Sequence, residues 1–461
     1  MPGRDEPDNR HTDARAGTPA AASAAGRSGG VTLDAFTDRY AMRTHGMTAS
    51  EIRALFAVAS RPEVVSLAGG MPNLTALPLD AVGKLTGELI ASRGTTALQY
   101  GSGQGDPHLR ELICEVMALE GVHASPEDVV VTVGSQQALD LVTRVFIDPG
   151  DVVLAEAPSY VGALGTFSAY QADVVHVATD ADGLVPEALS EAITAVARSG
   201  RRAKFLYTVP NFHNPAGVSM SESRREQVLA ICSAAGLLVL EDNPYGLLGF
   251  DGPPTPAIRA REGGTGDHVL YLGSFSKTFA PGLRTGWVLA PHAVREKLVL
   301  AAEASVLCPP ALTQMIVAEY LSTQDWQGQI AAFRDVYRER RDAMLDALGQ
   351  LMPEGTTWTH PTGGFYVWVT LPGELDAKVM LPRAVTERVA YVPGTAFYAD
   401  EQGRSNLRLS YCYPTPERIR EGVRRLAGVL EQETDLHSTF GSTGAFRLSR
   451  PLAESPSPDM A

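Results

Sequence analysis

Short runs of β-branched and other apolar residues recur at positions 129–133, 152–154, 205–209, 237–240, 269–272 and 286–290, separated by stretches of helix length. This alternation limits the fold more than any other feature of the chain. Neighbouring parallel strands need long crossovers, normally helices, and strands covered on both faces read as continuous apolar runs. The pattern predicts an α/β class, with a large domain whose mostly parallel sheet is flanked by helices. Beyond Pro309-Pro310 the rhythm changes. A helical stretch over about 311–352 with an interruption, a strand at 364–371 and a last helix over about 416–433 predict a smaller α+β domain. A chain of 461 residues with 44% hydrophobic composition can bury cores of that size.

The ends read differently. Residues 1–30 are rich in Ala, Gly, Arg, Pro and Asp and hold no apolar stretch, which predicts a disordered tail rather than a secretory signal or a membrane start. Asp5, Glu6, Asp8 and Asp13 speak against an organelle transit peptide. From about Thr434 the chain turns to Ser, Thr, Gly and Pro, and 434–461 reads as a second tail. A formal net charge of −14 is unsuited to a nucleic-acid surface, so the expectation is a soluble, cytoplasmic protein without nucleic-acid or membrane partners. Cys114, Cys232, Cys308 and Cys412 lie far apart, without C-x-x-C spacing or a nearby histidine pair, and suggest neither a metal site nor a disulfide framework.

Residues with chemical potential gather at the ends of the strand-like runs, where open α/β sheets bind ligands. The run at 269–272 leads into Gly273-Ser274-Phe275-Ser276-Lys277, with Arg284 seven positions on. A lysine amine condenses with an aldehyde, and two serines with an arginine are the donors a phosphate ester needs beside it. The run at 237–240 ends in Glu241-Asp242-Asn243-Pro244-Tyr245, which puts an acid at the end of a buried strand. Pro210-Asn211-Phe212-His213-Asn214-Pro215-Ala216-Gly217 closes the run at 205–209. Gly134-Ser135-Gln136-Gln137 opens a helix after 129–133, so its first N–H groups can face an anion. Ala157-Pro158-Ser159-Tyr160 follows the next strand, and Asn406-Leu407-Arg408-Leu409-Ser410 reads as a short strand with an arginine able to grip a carboxylate by two prongs. Each piece alone has an ordinary reading: a polar turn, a solvated strand-end acid, an Asn-Pro turn, a helix cap, a surface tyrosine, an ion-paired arginine.

In order and spacing, over roughly residues 50–430, these six segments resemble those of the fold type I, class I/II aminotransferases. The resemblance implies pyridoxal 5'-phosphate as cofactor, with Lys277 as its covalent anchor and catalytic base. Asp242 would face the pyridine nitrogen, Asn214 and Tyr245 the phenolic oxygen, and Tyr160 the ring face. Ser135, Gln136, Ser274, Ser276 and Arg284 would hold the phosphate, and Arg408 the substrate α-carboxylate, with Asn214 and Gly70 beside it. Leu98-Gln99-Tyr100-Gly101 with Gly105 matches a family segment whose tyrosine reaches the neighbour's phosphate, so the resemblance implies a homodimer with shared active sites. It also implies a large domain at 63–305 and a small one at 306–433 joined by the N-terminal segment 31–62.

Ser50-Glu51-Ile52-Arg53 and Ser66-Leu67-Ala68-Gly69-Gly70-Met71-Pro72 resemble the 2-aminoadipate and kynurenine aminotransferase group more than the aspartate group. In that group Arg53 would meet a distal carboxylate. The implied reaction is ping-pong transfer of an amino group from an L-amino acid, 2-aminoadipate- or glutamate-like or aromatic, to a 2-oxo acid such as 2-oxoglutarate. Phe365, Tyr366 and Phe397 keep aromatic and branched-chain donors open. Another fold type I reaction, such as β-elimination or decarboxylation, would use the same residues. A cofactor-binding regulatory module is the further alternative, against which stand the acidic charge and the mere 30 or so tail-like residues ahead of the fold.

Overall fold

A computed structural model describes residues 36–44, 61–263, 267–400 and 402–440. Arg53 therefore lies outside the described residues, as do most of the two expected tails and of the 31–62 segment. The chain divides into two compact units, Met1–Met42 and Arg43–Ala461. Of the first, a short 3-10 turn at Thr37–Arg39 is described. All that follows concerns the second.

Among the described residues the main sheet has eight strands, in the spatial order Val129–Thr132, Gly286–Leu289, Val269–Ser274, Leu238–Asp242, Ala203–Thr208, Val152–Ala157, Asp173–Asp180 and Gly183–Leu184. The four pairings from Val269–Ser274 across to Asp173–Asp180 are parallel. Helices such as Ser135–Phe146 and Glu222–Ala235 make the crossovers and cover the sheet. The central strands Leu238–Asp242 and Val269–Ser274 are buried on both faces almost throughout, which is why they read as unbroken apolar runs.

Gly286–Leu289 runs against both of its neighbours. Its connection, 275–285, holds no helix long enough for a crossover, so the chain turns back, with Phe275 N donating to Thr285 O at 3.1 Å. The Lys277 segment is thus a loop pinned at both ends by adjacent antiparallel strands. The last two strands at the far edge do not read as apolar runs, because Asp173–Asp180 carries half-exposed residues along most of its length, its outer side being paired only at Thr179 and Asp180.

The C-terminal part builds a four-stranded antiparallel sheet ordered Thr357–Trp358, Tyr366–Thr370, Asn406–Ser410, Val392–Pro393. A parallel two-residue pairing joins Val65–Ser66 to Val389–Ala390. The expected interrupted helix is two helices, Ala311–Thr323 and Trp326–Leu351, and the side chain of Asp325 restarts the second by accepting from Gly328 N at 3.0 Å. The last helix, Pro416–Phe440, runs past the boundary expected at 433. Residues 434–440 contain neither Gly nor Pro, and the first breaker is Gly441, so the local composition allows the helix to continue.

Candidate active site

Three parallel strands in the middle of the main sheet end on one edge, and the loops leaving them supply most of the predicted residues. Asp242 is the last residue of its strand and is buried. Tyr207 pairs in register with Leu240, so the period of two puts the side chains of Tyr207 and Asp242 on the same face of the sheet. The Tyr207 hydroxyl donates to Asp242 Oδ2 at 2.8 Å. Asp242 Oδ1 has no partner among the described residues, and Asp242 is one of the residues lining a cavity of about 390 Å³. Burial raises the Asp242 carboxyl to about 6, and the Tyr207 hydrogen bond works in the opposite direction.

Lys277 reaches the same cavity from the loop between the antiparallel strands. Its Nζ donates to Gly70 O at 2.9 Å and lies 5.6 Å from the centroid of the Phe365 ring. Desolvation lowers its pKa from 10.5 to about 8, with the nearby cations Arg408 and Arg284 acting in the same sense. Gly70 has to be glycine here, because a Cβ would lie 2.3 Å from the Tyr366 hydroxyl oxygen.

At one end of the cavity the donors suit a small anion. Ser135 opens its helix after Gly134, whose φ of 75° is a conformation that side chains rarely adopt. A Cβ on Gly134 would also meet Arg284 Nη2 at 2.3 Å, so the missing side chain is what lets the guanidinium close over the helix start. Arg284 Nη1 donates to Ser276 Oγ at 3.4 Å, and Ser274 Oγ donates to Ser276 Oγ at 2.9 Å. Gln136 sits on the same helical turn, tied through Nε2 to Thr166 Oγ1 at 2.8 Å.

At the other end, Arg408 lies in the central strand pair of the small sheet, 2% exposed. Its Nη1 donates to Asn214 Oδ1 at 2.8 Å and its Nη2 to Ala68 O at 2.7 Å. The guanidinium carbon lies 4.2 Å from the Tyr366 ring centroid and 5.0 Å from that of Phe397, within reach of a cation–π contact with each ring. Its Nε has no partner among the described residues.

Gly70, Ser135, Tyr160, Asn214, Asp242, Tyr245, Lys277 and Arg408 thus line one cavity, and Ser274, Ser276, Arg284 and Gln136 stand behind its anion end. Tyr100 does not join them: it is 77% exposed. Sequence reasoning missed Tyr207 and the aromatic pair beside Arg408. A signal for Tyr207 was available, since a hydroxyl in a fully buried strand needs a partner and the adjacent strand ends in an acid.

The site fits pyridoxal phosphate on its own terms. The orphaned Asp242 oxygen asks for a donor of the kind a protonated ring nitrogen provides, and the Gly134 cradle with Arg284 and two serines suits a phosphate ester. Fold and site together are those of a fold type I pyridoxal phosphate enzyme. Residues 62–426 match the family described as aminotransferase class I and II. Aromatic-amino-acid aminotransferase 1 of Thermococcus litoralis is 41% identical over 406 residues, 87% of this chain and 96% of its own. The kynurenine aminotransferase of Pyrococcus horikoshii, solved in complex with PMP (pyridoxamine phosphate), superposes with a TM-score of 0.83 at 38% identity, covering 87% of this chain and 99% of that one. LysN, the α-aminoadipate aminotransferase of Thermus thermophilus, complexed with N-(5'-phosphopyridoxyl)-L-leucine, gives a TM-score of 0.80 at 37% identity, with coverage of 87% and 99%. The chain belongs to the class I and II aminotransferases, and is a pyridoxal phosphate-dependent enzyme of that family.

Proposed function

We propose that the enzyme moves an amino group from an L-amino acid to a 2-oxo acid in a ping-pong cycle, with aromatic and 2-aminoadipate- or glutamate-like donors and 2-oxoglutarate as acceptor. The observation that carries this reading is that Arg408, Lys277 and Asp242, whose Oδ1 is unpartnered among the described residues, line one cavity. An arginine opposite a base selects an α-carboxylate and so decides which bond at Cα is presented for cleavage.

When bound, pyridoxal phosphate supplies an aldehyde carbon that takes up the amino group and a ring that draws electrons from the substrate Cα. Asp242 would accept a hydrogen bond from the ring nitrogen and keep it protonated. Asn214 and Tyr245 would hold the phenolic oxygen, and Tyr160 would pack against the ring. Ser135, Gln136, Ser274, Ser276 and Arg284 would hold the phosphate. Lys277 would be the covalent anchor, and its Nζ, when free, would take the proton from the substrate Cα. A pKa of about 8 leaves a useful share of that amine neutral near physiological pH. Arg408 grips the α-carboxylate with Asn214, while Gly70 leaves room beside it. The first 2-oxo acid leaves before the second enters, and the same groups act in reverse order.

The donor class is supported by the names of the relatives and by the apolar wall that Tyr160, Val161 and Tyr366 give the cavity. From sequence alone, Arg53 is assigned to the distal carboxylate of the acidic donors. A homodimer, with Tyr100 reaching the partner's phosphate, is supported by the exposure of Leu98 and Tyr100 next to the segment that exposes Val306 and Leu307. Sedimentation showing only monomer would overturn it. Separate sheets support the assignment of 63–305 to the large domain and 306–433 to the small one, while 31–62 is assigned to the small one from the family resemblance alone. A cytoplasmic location is assigned from the sequence reading alone; among the described residues no helix is long and apolar enough to cross a membrane. Localisation of a tagged full-length protein outside the cytoplasm would reject that assignment.

The test is a single-turnover spectral assay. Purified enzyme is mixed with L-aminoadipate, glutamate, kynurenine, aromatic and branched-chain amino acids in turn. Conversion of the cofactor to its pyridoxamine form by the acidic and aromatic donors is expected. Conversion by none of them would overturn transamination in favour of lyase or decarboxylase chemistry.

A further inference from the structure

Behind the cofactor-facing loops lies a buried hydrogen-bonded cluster that none of the steps above uses. Glu120 follows the Pro107–Ala118 helix and points inward across Gly246, where a Cβ would lie 1.8 Å from its Oε1. Oε1 accepts from Asn243 Nδ2 at 2.7 Å, and Oε2 accepts from the Tyr271 hydroxyl at 3.1 Å. Asn243 Oδ1 in turn accepts from Asn211 Nδ2 at 2.9 Å, and Asn211 Oδ1 accepts from Arg225 Nη2 at 2.6 Å. Arg225 is fully buried and is held by the carbonyls of Met220, Pro256 and Pro210.

Each member touches a loop next to a residue of the site. Asn243 follows Asp242, Gly246 follows Tyr245, and Asn211 stands three positions before Asn214. Yet Glu120, Asn243, Asn211 and Arg225 do not line the cavity. A buried carboxyl group is costly unless donors meet it, and burial raises this one to about 7. A made bond contributes modestly, whereas an unmade buried one costs the full desolvation of the group, so the cluster holds its members together more firmly than it stabilises the fold.

We infer that Glu120 is a positioning residue for the transamination. Through Asn243 and Asn211 it fixes from behind the loops that present Asp242, Tyr245 and Asn214 to the cofactor. The inference rests on the roles given to those three residues above. A shift of the order of 1 Å in such groups costs about a hundredfold in rate, so a residue that never meets the substrate can matter to turnover.

The test uses the full-length enzyme, with and without cofactor. Glu120→Met fills a similar volume without an acceptor, while Glu120→Gln keeps an acceptor for Asn243 and a donor for the Tyr271 oxygen. Cofactor dissociation constant by absorbance titration, kcat and melting temperature are read for each. Glu120→Met is expected to fold and to lose about tenfold or more in both cofactor affinity and kcat, and Glu120→Gln to recover most of both. Asn211→Ala breaks the far end of the cluster, leaves Glu120 with Asn243 and Tyr271, and should lose in the same direction; it decides the matter if Glu120→Met does not fold. A purely structural role would move the melting temperature alone. Folded Glu120→Met or Asn211→Ala protein with wild-type affinity and kcat overturns the proposal. Asp242→Ala separates the two readings: if it too binds cofactor and turns over like wild type, the site assignment falls rather than the role of Glu120.

Discussion

The hydroxyl of Tyr207 donates to Oδ2 of Asp242 at 2.8 Å and thereby leaves Oδ1 as the unpartnered oxygen, among the described residues, of a carboxylate that lines the cavity. The two residues are 35 positions apart and meet because their strands are adjacent and in register. The bond also favours the charged carboxylate against the burial that opposes it.

Tyr207→Phe removes this bond while keeping a ring for Phe167 to pack on, 5.5 Å between centroids. The Asp242 carboxyl should then titrate at higher pH, and more of it is neutral near neutrality. Hydrogen bonds to charged groups contribute about 1.5–3 kcal/mol, so cofactor affinity near pH 7 is expected to fall by about tenfold or more, with less loss at higher pH. Affinity equal to wild type at every pH would contradict the role of Tyr207.

Lys277 carries its own pH signature. Because desolvation lowers its folded-state pKa to about 8, the amine is protonated and unreactive below that value and neutral above it. The rate at which cofactor-free enzyme captures pyridoxal phosphate, followed by absorbance, should climb with pH and level off above about 8. Lys277→Ala should lose the visible band of the lysine-bound cofactor and all turnover. A variant that keeps both would sink the assignment.

Gly134→Ala addresses the anion cradle. At a φ of 75° any side chain strains the backbone, at a cost of about 1–3 kcal/mol, and the new Cβ must push Arg284 aside. The flexible arginine can move, so the protein is expected to fold with a lowered melting temperature and about tenfold weaker cofactor binding. Unchanged binding would mean that Arg284 does not serve the phosphate.

Arg408→Lys keeps the charge and loses the planar fork within cation–π reach of Tyr366 and Phe397. Both amino acid and 2-oxo acid carry the carboxylate it is assigned to, so KM should rise for donor and acceptor alike, by about tenfold or more. Steady-state kinetics with each substrate varied in turn checks this. A rise for one partner only would place the carboxylate site elsewhere.

Much of the site was legible because its chemistry sits in short local segments at strand ends. Lys277 with its serines, Asp242 after an apolar run and Gly134 before a helix are each visible within a few residues, and a local signal survives without tertiary information. Glu120 shows the opposite case. It follows a helix beside Leu119 and Gly121 and reads as a surface acid, and nothing nearby in the chain announces Asn243 or Tyr271. The aromatic pair beside Arg408 was hidden for the same reason, since Tyr366 and Phe397 lie on different strands and loops from it.

By itself, then, the sequence determined the α/β alternation, the lysine proposed to bear the cofactor and the kind of group at each strand end, because periodicity and loop chemistry are properties of neighbouring residues. Only the tertiary structure decided which oxygen of Asp242 is free, that Gly286–Leu289 turns back against its neighbours, and that Glu120 is buried beneath the site. Those facts depend on register and packing between segments far apart in the chain. Their energies come from contacts that do not exist until the segments meet.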